Sequence, residues 1–331
     1  MRPLAWCLAG IALTALMLEL LLRLLPVSTA TLTGYYIDPL ILTYPPHHRF
    51  TLSEGWALER ALSHRANNYG FLASEDFVPD AAGVAVIGDS YVEANMLPEP
   101  ERVTARLAAR TPGTRWWALG GPGSNLLDYA QRAAWASRTL QARRFVFVIE
   151  SGDVVQVRCG SGNIHGLCID RASGAVVKEP QPGAGTLKCI ARESALAQYL
   201  FSQVKLTTEG VARIFKGADK PRPQAHTAES EALKAIDRAA VAAFLERFKA
   251  LAPAQAVFVI ADPVDPDVHG YGLSLLEQAL EQAGYAVIKT GPLFREHAAH
   301  SRLSLRVSPQ DGHWNPLASD LVAAAVAARM R

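Results

Sequence analysis

Five short apolar runs constrain the fold of this chain more than any other feature. They are Gly83-Val84-Ala85-Val86-Ile87, Trp116-Trp117-Ala118-Leu119, Phe145-Val146-Phe147-Val148-Ile149, Ala256-Val257-Phe258-Val259-Ile260 and Tyr285–Lys289. Runs this short and this continuously apolar read as strands buried on both faces, which is the habit of parallel sheets. Between them lie stretches suited to helices, at 101–110, 125–140 and 271–283, with a closing helix over Pro316–Arg329. Leu233, Ile236, Ala240, Phe244 and Phe248 form a stripe of helical period ahead of the fourth run. Strands alternating with helices imply an α/β fold, a three-layer α/β/α sandwich around a parallel sheet of about five strands.

The flanks are of another kind. Leu4 to Leu25 is apolar enough to span a bilayer, carries no charge before Glu19, and has Arg2 on the side expected to stay inside. Glu19 and Arg23 are four apart and can pair at a membrane surface. A signal peptide cleaved near Ser28-Thr29-Ala30 is the alternative; either reading exports the rest of the chain. The expected organisation is an inner-membrane anchor over 1–26, an irregular extension over 27–80, and a periplasmic domain over 81–331 carrying an insertion at about 154–228. Within that insertion a hairpin is expected near Asp170–Gly174, a helix over 193–215, and a polar linker over 216–228. Cys159, Cys168 and Cys189 cannot all pair internally; Cys159–Cys168 is the preferred disulfide and Cys168–Cys189 the alternative. Cys7 falls inside the span and is expected to be inert. A net charge of +2 excludes the basic footprint of a nucleic-acid binder.

In a parallel sheet, ligands bind beyond the carboxyl ends of the strands. Those ends read Gly88-Asp89-Ser90, then Gly121-Pro122-Gly123-Ser124-Asn125, Glu150-Ser151-Gly152-Asp153, and Asp262-Pro263-Val264-Asp265. Asp311-Gly312-His313-Trp314-Asn315 precedes the last helix. A hydroxyl, a glycine turn with N–H groups to offer, a carboxylate and an imidazole are the inventory of acyl transfer through a serine nucleophile. Asp89 is read as a turn residue that bonds N–H groups.

With these motifs in this order, the region 83–330 resembles the SGNH, or GDSL, hydrolases. Gly88-Asp89-Ser90 matches the block that carries the nucleophile. Gly121-Pro122-Gly123 matches the block whose glycine N–H lines the oxyanion hole, and Asp311-Gly312-His313 matches the block of acid and base. The resemblance implies Ser90 as nucleophile, His313 as base, Asp311 as its orienting acid, and the N–H groups of Ser90 and Gly123 as oxyanion donors, with no cofactor and no metal. Asn68-Tyr69-Gly70-Phe71 after an anchor is similar to exported members acting on envelope or exopolysaccharide acyl groups. Expected partners are therefore an acylated polysaccharide or other glycan, the inner membrane, and envelope polysaccharide machinery.

Two departures stand out. Asp311 lies two residues before His313 where the family more often has three, a spacing that resembles the alginate-acetylation branch. The third block usually offers an Asn to the oxyanion, whereas here Ser151-Gly152-Asp153 has none. Gly152, Asp153 and Asn125 are the candidates for that place. A wild type that cleaves esters slowly, and is accelerated by Gly152→Asn, is the expectation. Loss of the donor also supports the rival reading of a non-catalytic, carbohydrate-binding accessory protein. Trp314 and Asn68 are weaker candidates for substrate contact, while Trp116 and Trp117 are expected in the core. Asp262, Asp265, Asp267 and His269 read as a solvated loop, and Asn163 and His165 are given no role.

Overall fold

The computed structural model describes residues 2–161, 166–180, 184–204, 231–261, 270–309 and 311–330. The chain divides into two compact units. The larger comprises Thr33–His48, Ala66–Gln181 and Ala228–Arg331, and the smaller Met1–Leu32, Arg49–Arg65 and Pro182–Thr227.

In the smaller unit, helix α1 (Arg2–Leu22) contains a 20-residue apolar stretch, Pro3–Leu22, of mean hydropathy 2.1 that is unburied except at its last residue, Leu22. By length and composition this helix can cross a membrane. Just beyond it the Arg23 guanidinium meets Glu19 at 2.7 Å. The stretch expected to be irregular holds two β-hairpins instead. The first, of β1 (Gly34–Asp38) and β2 (Ile41–Thr43), belongs to the larger unit. The second, of β3 (Arg49–Glu54) and β4 (Glu59–Arg65), belongs to the smaller unit and buries Phe50 against His64. Their strands are short, three to seven residues, and only partly buried, so period-2 patterning is faint.

The larger unit is built on a five-stranded sheet. Its members are β5 (Val84–Gly88), β6 (Trp116–Gly120), β7 (Arg144–Ile149), β10 (Gln255–Ile260) and β11 (Ala286–Lys289), in the order β11-β10-β7-β5-β6 and all parallel. Alternation along the strands feeds two cores. Val84, Val86, Val146, Val148, Val257 and Val259 face one layer, where α3 (Val103–Arg110) supplies Leu107 and the closing helix Val322 and Val326. Ala85, Ile87, Phe147, Phe258 and Ile260 face the other, against α4 (Leu126–Thr139) and residues 231–249. There Phe147 stacks on Phe258 at 4.9 Å and meets Phe248 edge-on at 4.9 Å. The expected three-layer sandwich is what forms.

Two short helices open at the strand ends: α2 (Ser90–Glu93) after β5 and α5 (Ser151–Val155) after β7. The expected hairpin is β8 (Leu167–Ile169) with β9 (Val176–Lys178), antiparallel about the turn at Asp170–Gly174. Where one helix was expected from 193, the described residues form α6 (Thr186–Glu193), α7 (Ala195–Gln198) and a wider turn, Tyr199–Gln203, all in the smaller unit. Ser194 makes the break, since its hydroxyl accepts the Ala197 N–H at 3.1 Å and starts α7 afresh. The later helices of this unit are α8 (Glu231–Lys249), α9 (Tyr271–Gln282), α10 (Thr290–His300) and the closing α11 (Pro316–Met330). The remainder of the expected 193–215 helix beyond 204 and the 216–228 linker lie outside the described residues.

Candidate active site

The turn that carries Ser90 is dictated by crowding. A Cβ on Gly88 would lie 2.5 Å from Val92 Cγ2 and 3.0 Å from the Val148 carbonyl, so β5 ends in glycine. Asp89 then caps α2, its Oδ1 accepting the Tyr91 N–H at 2.9 Å. Its carboxyl is buried, and burial pushes its pKa up. Asp89 is thus the turn residue it was expected to be. Ser90 follows as the first helical residue, half-buried, with Oγ 3.2 Å from Asp89 Oδ2.

The imidazole comes from the loop before α11. That loop is pinned by Val307 N–H to the His313 carbonyl at 3.0 Å and by Asn315 N–H to the Leu305 carbonyl at 3.0 Å. Asn315 caps α11, accepting from the N–H groups of Leu317 and Ala318, each at 3.0 Å. Asp311 is consequently not needed as a cap. Its Oδ1 accepts the His313 backbone N–H at 3.0 Å and lies 2.5 Å from His313 Nδ1. On the other side of the ring, Nε2 lies 2.8 Å from Ser90 Oγ. A carboxylate can only accept, so Nδ1 carries the ring hydrogen and Nε2 presents its lone pair to the serine hydroxyl. The sequence-predicted Ser90, His313 and Asp311 therefore form one continuous chain of hydrogen bonds. The Asp311 and His313 side chains remain 30% and 31% exposed, so the pair is open to solution.

The chain is similar to solved lipolytic proteins of the G-D-S-L family. One, from Veillonella parvula, is 11% identical with a TM-score of 0.39, over 73% of this chain and 94% of its own. An α/β hydrolase from the metagenome of Lake Arreo is 13% identical with a TM-score of 0.41, over 76% of this chain and 96% of its own. An acetyl xylan esterase from the rumen bacterium Butyrivibrio proteoclasticus is 9% identical with a TM-score of 0.39, over 78% and 66%. No family model matches the chain, and no curated protein matches it.

The remaining expected site residues divide. Gly123 lies after β6, the strand beside β5, with φ of +64°, a conformation that favours glycine. Asn125 is not available to an oxyanion. It caps α4, its Oδ1 accepting from Leu127 N–H at 2.9 Å and Asp128 N–H at 3.2 Å, and its amide donates to the Leu167 carbonyl at 3.0 Å. Asn-x-x-Asp is a capping-box pattern, so that role was readable in the sequence. Trp314 is buried and packs edge-on against Tyr91 and Phe294, which removes it from substrate contact. Asn68 is committed as well, accepting the Phe77 N–H at 2.8 Å and donating to the Phe77 carbonyl at 3.0 Å. Trp116 and Trp117 lie in the core as expected. Cys159 and Cys168 form a disulfide, while Cys7 and Cys189 are free thiols. Asn163, His165, Asp262, Asp265, Asp267 and His269 lie outside the described residues.

The third strand end holds what sequence reasoning missed. A Cβ on Gly152 would meet Glu150 Oε1 at 2.1 Å, so an Asn side chain fits there only if the Glu150 carboxyl moves aside. Asp153 is buried, and its Oδ2 accepts the Glu150 N–H at 2.7 Å. Asp89, Glu150 and Asp153 bring carboxylate oxygens within 4.8 Å of one another. Burial, reinforced by mutual repulsion, raises the pKa of Glu150 and raises that of Asp153 strongly. The signal for Glu150 was an acid at the end of an otherwise apolar strand. Tyr91 was also unmarked; its ring lies 5.0 Å from that of His313 and its hydroxyl pKa is pushed up by burial.

Proposed function

We propose that the protein is an exported, membrane-anchored serine esterase or O-acyltransferase of the SGNH/GDSL type, acting on short acyl groups carried by envelope or extracellular polysaccharide. The observation that carries the chemistry is the 2.8 Å contact from Ser90 Oγ to His313 Nε2 with Asp311 at 2.5 Å behind the ring. His313 takes the Ser90 proton as Oγ attacks the ester carbonyl. The N–H groups of Ser90 and Gly123 are the donors assigned to the tetrahedral oxyanion. Collapse expels the alcohol, which receives the proton back from His313, and leaves an acyl-enzyme on Ser90. Water or a sugar hydroxyl, deprotonated by the same imidazole, then releases the acyl group. The carbohydrate and the membrane setting are supported by the motif resemblance and by the unburied apolar helix α1.

The test is labelling by a fluorophosphonate, which reacts with activated serines. Wild type should label and Ser90→Ala should not, and both should retain the same melting temperature. Folded wild type that resists the probe would leave a serine that is not a nucleophile. Transfer is separated from hydrolysis by adding a deacetylated glycan with an acyl donor and measuring acyl groups gained by the glycan.

A further inference from the structure

We propose that α6 and α7 form a phospholipid-binding surface where α1 leaves the membrane, with Lys188 and Arg192 meeting the phosphate of an anionic lipid and Ile190 and Phe201 entering its acyl region. The inference rests on the reading of α1 as a membrane span, and every residue it uses belongs to the smaller unit. Glu19 lies in the last turn of α1. Its carboxylate accepts the Ser194 hydroxyl at 2.8 Å and the N–H groups of Ala195 and Leu196 at 3.1 and 2.8 Å. Arg23, itself paired with Glu19, donates to the Glu193 carbonyl at 3.0 Å. These bonds hold the junction of α6 and α7 against the end of the span. A carboxylate is costly in hydrocarbon and settles at the polar surface of a bilayer, so whatever is bonded to Glu19 sits at that depth.

The side chains around this junction suit that depth. Ile190 on α6 is 64% exposed, and Phe201 in the turn after α7 is 57% exposed. The Tyr199 hydroxyl donates to the Trp56 carbonyl at 2.8 Å, which ties the β3–β4 turn to the same place. The Trp56 side chain is exposed as well, and tryptophan favours the level of lipid headgroups. Lys188 and Arg192 are one helical turn apart on another flank of α6. With Ala191, Leu52, Ala197 and Phe201 they line a groove of about 500 Å³. Among the described residues neither cation forms an ion pair. A groove with apolar lining and two unpaired cations is complementary to an acyl chain that ends in an anionic phosphate. A soluble anion would engage the cations and leave Ile190, Phe201 and Trp56 in water, whereas a bilayer surface engages all five.

The two free thiols, Cys7 in α1 and Cys189 in α6, make the test direct. The full chain carrying Cys7→Ser, Cys189→Ser and Ile190→Cys is labelled in detergent with an environment-sensitive fluorophore. It is then placed in nanodiscs of phosphatidylcholine and phosphatidylglycerol that contain doxyl-labelled lipid. Emission from position 190 should be blue-shifted, and the doxyl lipid should quench it by about half or more. Adding Lys188→Glu and Arg192→Glu, or using phosphatidylcholine alone, should remove about half or more of that quenching. Emission typical of water at position 190, or quenching indifferent to both changes, would overturn the surface. The same fluorophore on Cys7, in a Cys189→Ser chain, separates the two ideas. Cys7 quenched by lipid while position 190 reports water sinks the surface alone, whereas Cys7 in water sinks the span on which it rests.

Discussion

Ser90 and His313 stand 223 residues apart in sequence and 2.8 Å apart in space, joined by a hydrogen bond between the end of β5 and the loop that leads into α11. Because Asn315 caps α11 in its own right, the Asp311–His313 pair is free to be tuned for the serine alone. Replacing Ser90 or His313 by Ala should abolish turnover of p-nitrophenyl acetate and leave the thermal melt nearly unchanged. Asp311→Asn should preserve the position of the ring and still lose on the order of 10⁴ in kcat, since an amide no longer fixes the productive tautomer. Stopped assays on folded variants check this, and activity above a tenth of wild type in Ser90→Ala would remove it as nucleophile.

A buried ion pair ties the segment after α5 to α8. Arg158 Nη2 reaches both oxygens of Asp237, at 2.8 and 2.7 Å, with side chains 7% and 0% exposed. Asp237→Ala strands a buried guanidinium and should destabilise the fold by about 3–5 kcal/mol. The double variant Arg158→Met with Asp237→Leu should lose much less, because both charges leave together. Urea melts of the three proteins decide it, and equal losses in the single and double variants would contradict the pair's role.

Stability should also fall from mildly acidic to neutral pH. Burial raises the Glu93 carboxyl to about 7 and the Asp128 carboxyl to about 6. Groups whose pKa is higher folded than unfolded bind more protons in the native state. Their contribution is complete below the unfolded carboxylate range near 4 and is lost as pH climbs through the raised values. Glu93→Gln, which can still accept from the Tyr44 hydroxyl, should flatten the Glu93 share of that loss. Melting temperatures of wild type and variant measured at pH values on either side of this window give the comparison. A wild type that gains stability across the window would reverse the sign and refute the assignment.

How much of this was legible follows from what each residue is asked to do. The sheet strands are buried on both faces, so Val84–Ile87 and Phe145–Ile149 declare themselves by composition alone. Ser90, Asp311 and His313 were readable as types in order, although only the fold could bring them into bonding distance. The β3–β4 hairpin was hidden, because Glu59-Arg60-Ala61-Leu62-Ser63-His64-Arg65 is mostly exposed and buries little by which to show alternation. Asn68 and Trp314 were misread because exposure, not residue type, separates a ligand contact from a structural one. The crowding of Gly152 by Glu150 escaped because it lies in how that side chain turns back, which no spacing encodes.

The amide expected to accelerate the enzyme from Gly152 meets an obstacle in the structure. Its Cβ would sit 2.1 Å from Glu150 Oε1, so Gly152→Asn must push that carboxyl aside before its own amide can point anywhere. The single variant should therefore fail to raise kcat, because its amide has no settled place while the Glu150 carboxyl occupies the space. Clearing the space with Glu150→Gly in the same chain lets the Asn side chain settle, and the double variant should exceed the single one in kcat by about tenfold or more. KM should stay near its original value in both, because a donor to the oxyanion acts on charge that exists only in the transition state. Asp153→Asn serves as the control. Its side chain can still accept the Glu150 N–H as Asp153 does now, and it lies buried beneath the site, so kcat should change by less than about threefold. A tenfold gain in kcat from Gly152→Asn alone would mean that the Glu150 carboxyl moves aside freely, and the blocked place at the third strand end would have to be reassigned.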